Sequence, residues 1–250
     1  VCCEYEGIIY GGGFKPSNLF SANPLTGKLK DLGRVCEGKI QIYDILGHPK
    51  GLFISSYMDA NLDFFDPASP REDGINPRHI ATLSEPYGQE RLMQLCSGPD
   101  GNIYSGAIPV KGHVTGAVVR IDPADFSVKV YENILPNQSF YGATAAPQTG
   151  EIFFTTSIYG GTSAEEVAGE AWAVLWDCEK EEVAWKGKPV SGARLYGYPV
   201  AGKDGMIYGL AGGNELMMLT EEEPFESRFY IFDPLSRKTV HTGLLPVDRI

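Results

Sequence analysis

A short unit, glycine leading into an aliphatic–aromatic pair, recurs five times along the 250 residues of this chain. Its copies begin at Gly7 (Gly7-Ile8-Ile9-Tyr10), Gly51 (Gly51-Leu52-Phe53), Gly101 (Gly101-Asn102-Ile103-Tyr104), Gly150 (Gly150-Glu151-Ile152-Phe153) and Gly205 (Gly205-Met206-Ile207-Tyr208). The intervals are 44, 50, 49 and 55 residues. A period of that size marks a fold built by stacking one supersecondary unit. Few architectures accept such a chain, because each unit must hide its apolar faces against its neighbours.

A second landmark follows each glycine. Asn23-Pro24, Asp66-Pro67, Asp122-Pro123, Asp177-Cys178 and Asp233-Pro234 each close an apolar run such as Val118-Val119-Arg120-Ile121 or Phe229-Tyr230-Ile231-Phe232. Asp and Asn cap their own turns, and proline presets the next backbone angle. Further short segments lie after these turns, as in Val128-Lys129-Val130-Tyr131, and before the glycines, as in Arg91-Leu92-Met93-Gln94-Leu95. The 30 glycines and 17 prolines are spread along the chain as turn punctuation. Four strands in about 50 residues without helical periodicity is the pattern of a propeller blade.

The sequence therefore predicts an all-β chain, a single β-propeller domain over residues 1–250. Its five four-stranded blades should start near Val1, Ile40, Arg91, Tyr141 and Tyr196. Gly142, Ala143, Ala145 and Ala146 suit an innermost strand, where blades converge. The tail Asp248-Arg249-Ile250 resembles Glu90-Arg91-Leu92, the opening of an innermost strand, while Val1 to Tyr5 reads as the remainder of one. The expectation is a part of a larger ring of six to eight blades, with the remaining blades or another domain as partner.

At Asp100-Gly101-Asn102-Ile103-Tyr104 and Val119-Arg120-Ile121-Asp122-Pro123 the chain resembles bacterial propellers of the streptogramin lyase and gluconolactonase-like type. The likeness covers all five repeats and lies in residues that build turns and sheet. A gluconolactonase-like protein would imply a divalent cation held by carboxylate and Asn ligands in the central channel. No set of residues in this chain matches that ligand set, so neither metal nor cofactor is predicted. Trp176-Asp177 is a lone Trp-Asp pair without a Gly-His partner, which does not support the WD-repeat family.

The net charge of −11 disfavours nucleic acid and anionic membrane surfaces as partners. No run of 18 apolar residues is present to span a bilayer. The acidic run Glu221-Glu222-Glu223 reads as a solvated loop. Cys2, Cys3, Cys36, Cys96 and Cys178 form no disulfide-framework pattern and no CxxC, and are expected as free thiols. Asn137-Gln138-Ser139 fits the short N-glycosylation acceptor pattern.

With strands lettered A (innermost) to D within each blade, the Asp-Gly and Asp-Pro hairpins fall on one rim. The B-to-C loops and D-to-A crossovers fall on the other, and there the connections are long: Ser105 to Gly116, Thr155 to Glu170 and Leu210 to Ser227. Long loops on a rigid scaffold carry function. That rim collects Tyr57, Asn61, Arg91, Gln138, Ser139 and Arg194 as ligand-binding candidates, with His113 and Tyr159 as catalytic candidates. Gln89 and Glu90 come to the same rim. His48, His79 and His241 fall on hairpin turns or D strands, away from it.

Arg forks onto carboxylates, amides bond hydroxyls and aromatic faces stack on sugar rings. The leading expectation is a recognition module for carbohydrate or another small polar ligand. The alternative is a polysaccharide lyase acting on an acidic sugar by β-elimination. In it Arg91 or Arg194 would neutralise the carboxylate, and His113 or Tyr159 would take the α-proton. Ser163-Ala164-Glu165-Glu166 reads as a capping box that starts a helix of a turn or two.

Overall fold

The computed structural model describes residues 1–213 and 227–245. Its strands follow one another along the chain as antiparallel meanders. The first sheet holds β1 (Cys2–Tyr5), β2 (Ile8–Gly12), β3 (Asn18–Ala22) and β4 (Leu29–Arg34) in sequence order. The second holds β5 (Gln41–His48), β6 (Gly51–Tyr57), β7 (Asn61–Phe65) and β8 (Arg78–Thr82). After a one-turn helix, α1 (Ser84–Tyr87), the third sheet follows as β9 (Gln89–Ser97), β10 (Ile103–Pro109), β11 (Val118–Ile121) and β12 (Val128–Tyr131).

The remaining strands form one nine-stranded sheet. Its first part is β13 (Ser139–Ala146), β14 (Glu151–Ser157), β15 (Ala173–Asp177) and β16 (Glu182–Gly187). Its second is β17 (Leu195–Tyr196), β18 (Val200–Ala201), β19 (Ile207–Gly212), β20 (Arg228–Asp233) and β21 (Lys238–Leu244). A single residue pair, Ser157 with Leu195, joins the two parts. Both β17 and β18 pair with β19, so they act as one strand interrupted at residues 197–199.

The Asp and Asn landmarks do the same local work in all five copies, and the glycines in four of them. Asn23, Asp66, Asp122, Asp177 and Asp233 each turn a side-chain oxygen back onto the backbone N–H two residues on, at 2.7 to 3.0 Å. Gly7, Gly101, Gly150 and Gly205 sit at φ of 77°, 84°, 72° and 82°, which other residues adopt only with strain; Gly51 departs from them, with φ of 142° as the first residue of β6. Those glycines turn β1 into β2 and its later equivalents.

Strand alternation then divides the core into layers. On β6, Leu52 and Ile54 pack back onto the first sheet with Leu19 and Ile42, while Phe53 points forward to Leu95, Ile103 and Val119. On β10 and β11, Ile103 and Val119 face backward, and Tyr104 and Val118 face forward to Phe140, Phe154 and Trp176. Phe153 turns the other way again, onto Tyr196, Tyr230 and Phe232. Strands β10 and β14 are buried at every residue, whereas β2 and β19 alternate with solvent-facing positions. Each interior sheet thus supplies one apolar face to the sheet before it and one to the sheet after.

No helix forms at Ser163–Glu166, where turn and irregular backbone are found; α1 is the one α-helix among the described residues. The backbone around it is committed to the neighbouring loop. Gly112 N–H donates to the Thr162 carbonyl at 3.1 Å, and Gly161 N–H donates to the His113 carbonyl at 2.9 Å. A side chain at Gly160 or Gly161 would meet a carbonyl oxygen of that loop at 2.2 Å. The predicted loops are also shorter than expected, since β10 runs to Pro109 and β14 to Ser157. The Glu221–Glu223 run, most of the Leu210–Ser227 loop and the Asp248–Ile250 tail lie outside the described residues. No described helix is long and apolar enough to cross a membrane.

Candidate functional site

Antiparallel pairing places the β2/β3, β6/β7, β10/β11 and β14/β15 loops at the same edge as the crossovers between sheets. The opposite edge carries the tight turns. There Lys50 donates its ammonium to the Pro123 carbonyl at 2.6 Å, tying the turn after β5 to the turn after β11. His48, beside Lys50, packs edge-on against Phe53 on that edge.

On the loop edge, two arginine–tyrosine stacks occupy corresponding positions. Arg91, on β9, lies over the ring of Tyr57 at the end of β6, 5.3 Å from its centroid. Tyr57 in turn meets Tyr43 edge-on at 5.8 Å. Arg194, just before β17, lies over Tyr159, just after β14, also at 5.3 Å. Each guanidinium has an internal carboxylate. Arg194 donates to Glu166 at 2.9 Å, and Glu90 lies 3.8 Å from Arg91, which also reaches the Thr162 hydroxyl at 3.3 Å. Tyr159 spends its hydroxyl proton on the Gly213 carbonyl at 2.7 Å.

Gln138, Ser139 and Asn61 are drawn into the scaffold. Gln138 accepts from the Thr156 hydroxyl at 2.6 Å and donates to the Glu170 carbonyl at 3.1 Å, bracing the loop after β14. Ser139 is fully buried at the start of β13, its hydroxyl without a partner. Asn61 donates to the Met58 carbonyl at 2.6 Å and accepts from Thr82 at 2.7 Å.

His113 stands apart from the arginine stacks. It lines a cavity of about 420 Å³ together with Tyr87, Gln89, Thr115, Glu132 and Asn133. Gln89 is the one deeply buried polar side chain of these, 4% exposed. Its amide nitrogen donates to the Tyr87 carbonyl at 3.0 Å, which leaves Oε1 as a buried acceptor without a donor. The next two residues repeat the theme: Glu90 Oε2 and Arg91 Nε are also buried and make no hydrogen bond, although Glu90 Oε2 lies 3.8 Å from an Arg91 nitrogen. Such atoms are rare in native interiors and cluster where a ligand or water completes them.

Glu132 and Asn133 were not singled out from the sequence. They follow β12 in a crossover, so the lettering that selected Gln89 and Arg91 would have reached them if carried one connection further. Tyr43 had no signal: it occupies the irregularity between Ile42 and Asp44 in the β5–β6 register.

Near the axis, the innermost strands bind one another. Asp44 on β5 accepts from the Leu95 N–H on β9 at 2.7 Å. Burial raises its carboxyl to about 6, partly countered by the backbone N–H groups of Leu95 and Ile45. Gln94 accepts from the Ala143 N–H at 3.1 Å and donates to the Pro199 carbonyl at 3.4 Å. Among the described residues no three His, Cys, Asp or Glu side chains converge as metal ligands. Asp44 has backbone donors where cation sites have further oxygens, so among the described residues the divalent cation of gluconolactonase-like proteins finds no fitting ligand set. The five cysteines are free thiols.

Successive four-stranded antiparallel sheets, innermost strand first and packed face to face, define a β-propeller. Solved structures agree. The chain is similar to the luciferin-regenerating enzyme (TM-score 0.60, 12% identity, 97% of this chain and 74% of that one). It is similar to the Pan2 WD40 domain of Neurospora crassa (TM-score 0.62, 10% identity, 98% and 65%) and to the Dos1 propeller (TM-score 0.64, 11% identity, 98% and 58%). The chain spans less than two thirds of the last two. At these identities the likeness is one of fold. No family profile matches the chain, and no curated protein matches it in sequence.

Proposed function

We propose that the protein is a recognition propeller that binds an uncharged, hydroxyl-rich ligand, a carbohydrate unit, on its long-loop rim. The observation that carries this is Gln89, which lines a cavity of about 420 Å³ and whose buried Oε1 makes no hydrogen bond. That volume is in the range of small-molecule sites. Separate ligand hydroxyls would donate to Gln89 and to Glu132 and accept from Asn133 or His113, with Tyr87 offering an aromatic wall. The acidic-sugar lyase is the weaker reading. Arg91 and Arg194 already face Glu90 and Glu166, and the Tyr159 hydroxyl is engaged. An anionic ligand would have to displace those carboxylates.

A glycan array of neutral and uronate-containing saccharides tests the proposal, followed by calorimetry on Gln89→Ala. Binding to neutral glycans, weakened about tenfold by loss of one hydrogen-bonding partner, is the expected result. A blank array, or binding unchanged in Gln89→Ala, overturns it. Appearance of unsaturated uronate absorbance with an acidic polysaccharide would restore the lyase.

We also infer that the sheets are five blades of a larger ring, the nine-stranded sheet being two blades that share one residue pair. The outward faces of the end sheets support this. Phe20 is 43% exposed beside fully buried Leu19, and Val200 and Tyr208 form an exposed cross-strand pair. Those positions are the counterparts of faces that interior sheets bury. Co-expression with the flanking coding sequence should raise thermal stability and protect Phe20 from solvent; unchanged exposure of Phe20 would refute the larger ring.

A further inference from the structure

On the outer strands of the second sheet, four side chains form one hydrogen-bonded chain that ends at the rim. Asp63 on β7, 2% exposed, receives the Glu37 N–H on one oxygen at 3.1 Å and faces His79 Nδ1 with the other at 2.9 Å. His79 Nε2 lies 3.0 Å from the Thr82 hydroxyl. Thr82 Oγ1 is 2.7 Å from Asn61 Oδ1, and Asn61 Nδ2 donates to the Met58 carbonyl at 2.6 Å.

Counting protons along this chain leaves little freedom. The Met58 carbonyl can only accept, so the Asn61 amide presents its nitrogen there and its oxygen to Thr82. That oxygen can only accept, so Thr82 gives it its single hydroxyl proton. Thr82 can then only accept from His79, and Nε2 must carry a proton. The remaining contact, Nδ1 to Asp63, needs a proton as well. The complete chain therefore exists only while the Asp63–His79 pair holds one proton more than a carboxylate and a neutral imidazole. When that proton leaves, the charged Asp63 carboxylate keeps the hydrogen on Nδ1, because a charge-assisted hydrogen bond is the stronger one; Nε2 becomes an acceptor, and Thr82 turns its proton to His79 and abandons Asn61.

The far end of the chain is the loop between β6 and β7. It runs from Tyr57, the platform under Arg91, to Asn61, with Asp59 and Ala60 at φ of 71° and 48°. Left-handed backbone at two adjacent non-glycine residues needs outside support. Ala60 N–H donates to the Glu90 carbonyl at 2.8 Å, so the loop also meets the strand that bears Gln89 and Arg91.

We propose that the Asp63–His79 pair is a proton-operated latch on the 57–61 loop, holding Asn61 in place when protonated and releasing it when the proton is lost. The groups facing the pair favour the protonated state. The hydrogen bond that His79 donates to Asp63 raises His79 above the ordinary 6.5, against the lowering effect of burial, and the charges of Asp63 and Glu37 add to the rise. Arg34 lies 3.8 Å from Glu37, and Cys36 lines the same small cavity as Asp63 and His79. The latch thus opens on the alkaline side of an ordinary histidine titration. Nothing in it depends on what ligand the rim binds.

Histidine ring resonances and the backbone amides of Tyr57 to Asn61 can be followed together by NMR between about pH 5 and 9, a range that brackets histidine titration, with Asp44→Asn as the background that removes the Asp44 titration at about 6. The expected result is a His79 midpoint above 6.5 that the loop amides share. Thr82→Val keeps the shape but removes the hydroxyl, and should leave the His79 titration in place while the loop amides stop following it. A His79 midpoint at or below 6.5, or loop amides that titrate apart from His79, overturns the latch with Thr82 intact. Transmission that persists in Thr82→Val overturns it as well.

Discussion

Thr156→Val should destabilise the protein by about 3 kcal/mol although it removes no apolar surface. The Thr156 hydroxyl, fully buried on β14, accepts from the Trp172 backbone N–H at 2.8 Å and donates to Gln138 Oε1 at 2.6 Å. Valine has nearly the same shape and neither capacity. The substitution leaves two polar groups without partners at the inner edge of the rim, and each such orphan costs roughly 1–3 kcal/mol. Trp172 is only partly buried, so its N–H can recover some hydration, which sets the sum near the lower half of the range. Urea unfolding followed by circular dichroism would register a drop in midpoint of about 1 M for a protein of this size. Thr156→Ser keeps the hydroxyl and loses a methyl, for about 1 kcal/mol. A Thr156→Val midpoint indistinguishable from wild type would show that Gln138 does not brace the rim through Thr156.

Two further predictions use other parts of the fold. Gly116→Ala would place a methyl 2.1 Å from the Ala107 carbonyl oxygen and 3.0 Å from the Phe140 nitrogen, so backbone must move; melting should fall by several degrees, and an unchanged melting curve would contradict the close approach. Asp44 titrates at about 6 in the folded chain against 3.8 ordinarily, so between those values the native state keeps a proton the unfolded chain has released. Its contribution to stability therefore falls as pH rises through that window, by about 3 kcal/mol in all, and is level above it. Urea midpoints of wild type and Asp44→Asn should diverge progressively between about pH 4 and 6, and parallel profiles would refute the assignment.

The turns were legible because their chemistry is local. Asp122 reaches its own Ala124 N–H, and Gly101 needs a backbone angle that its neighbours do not set, so five spaced copies of each sufficed to find the repeat. The strands between them were legible through their apolar runs. The capping box at Ser163–Glu166 misled because its local signal competes with backbone bonds from a loop some 50 residues earlier, and those bonds prevail. For the rim, the lettering could assign Arg91, His113, Gln138, Tyr159 and Arg194 to connections of one kind. It could not say that Arg91 and Arg194 stack on tyrosines and face glutamates, that Gln138 is spent on Thr156, or that His113 shares its cavity with Gln89 and Glu132 instead.

The sequence by itself determined the architecture: the period, the turn residues and the alternation of apolar positions require sheets that stack on one another. Only the tertiary structure decided which polar groups remain unsatisfied and which have been used. Arg91 meets Thr162 across 71 residues and Ala143 meets Gln94 across 49, partners brought together by blade-on-blade packing and not by any pattern along the chain. Turn formation depends on neighbours in sequence, whereas a binding site depends on the polar atoms left over after packing, and that remainder exists only once the sheets have closed on each other.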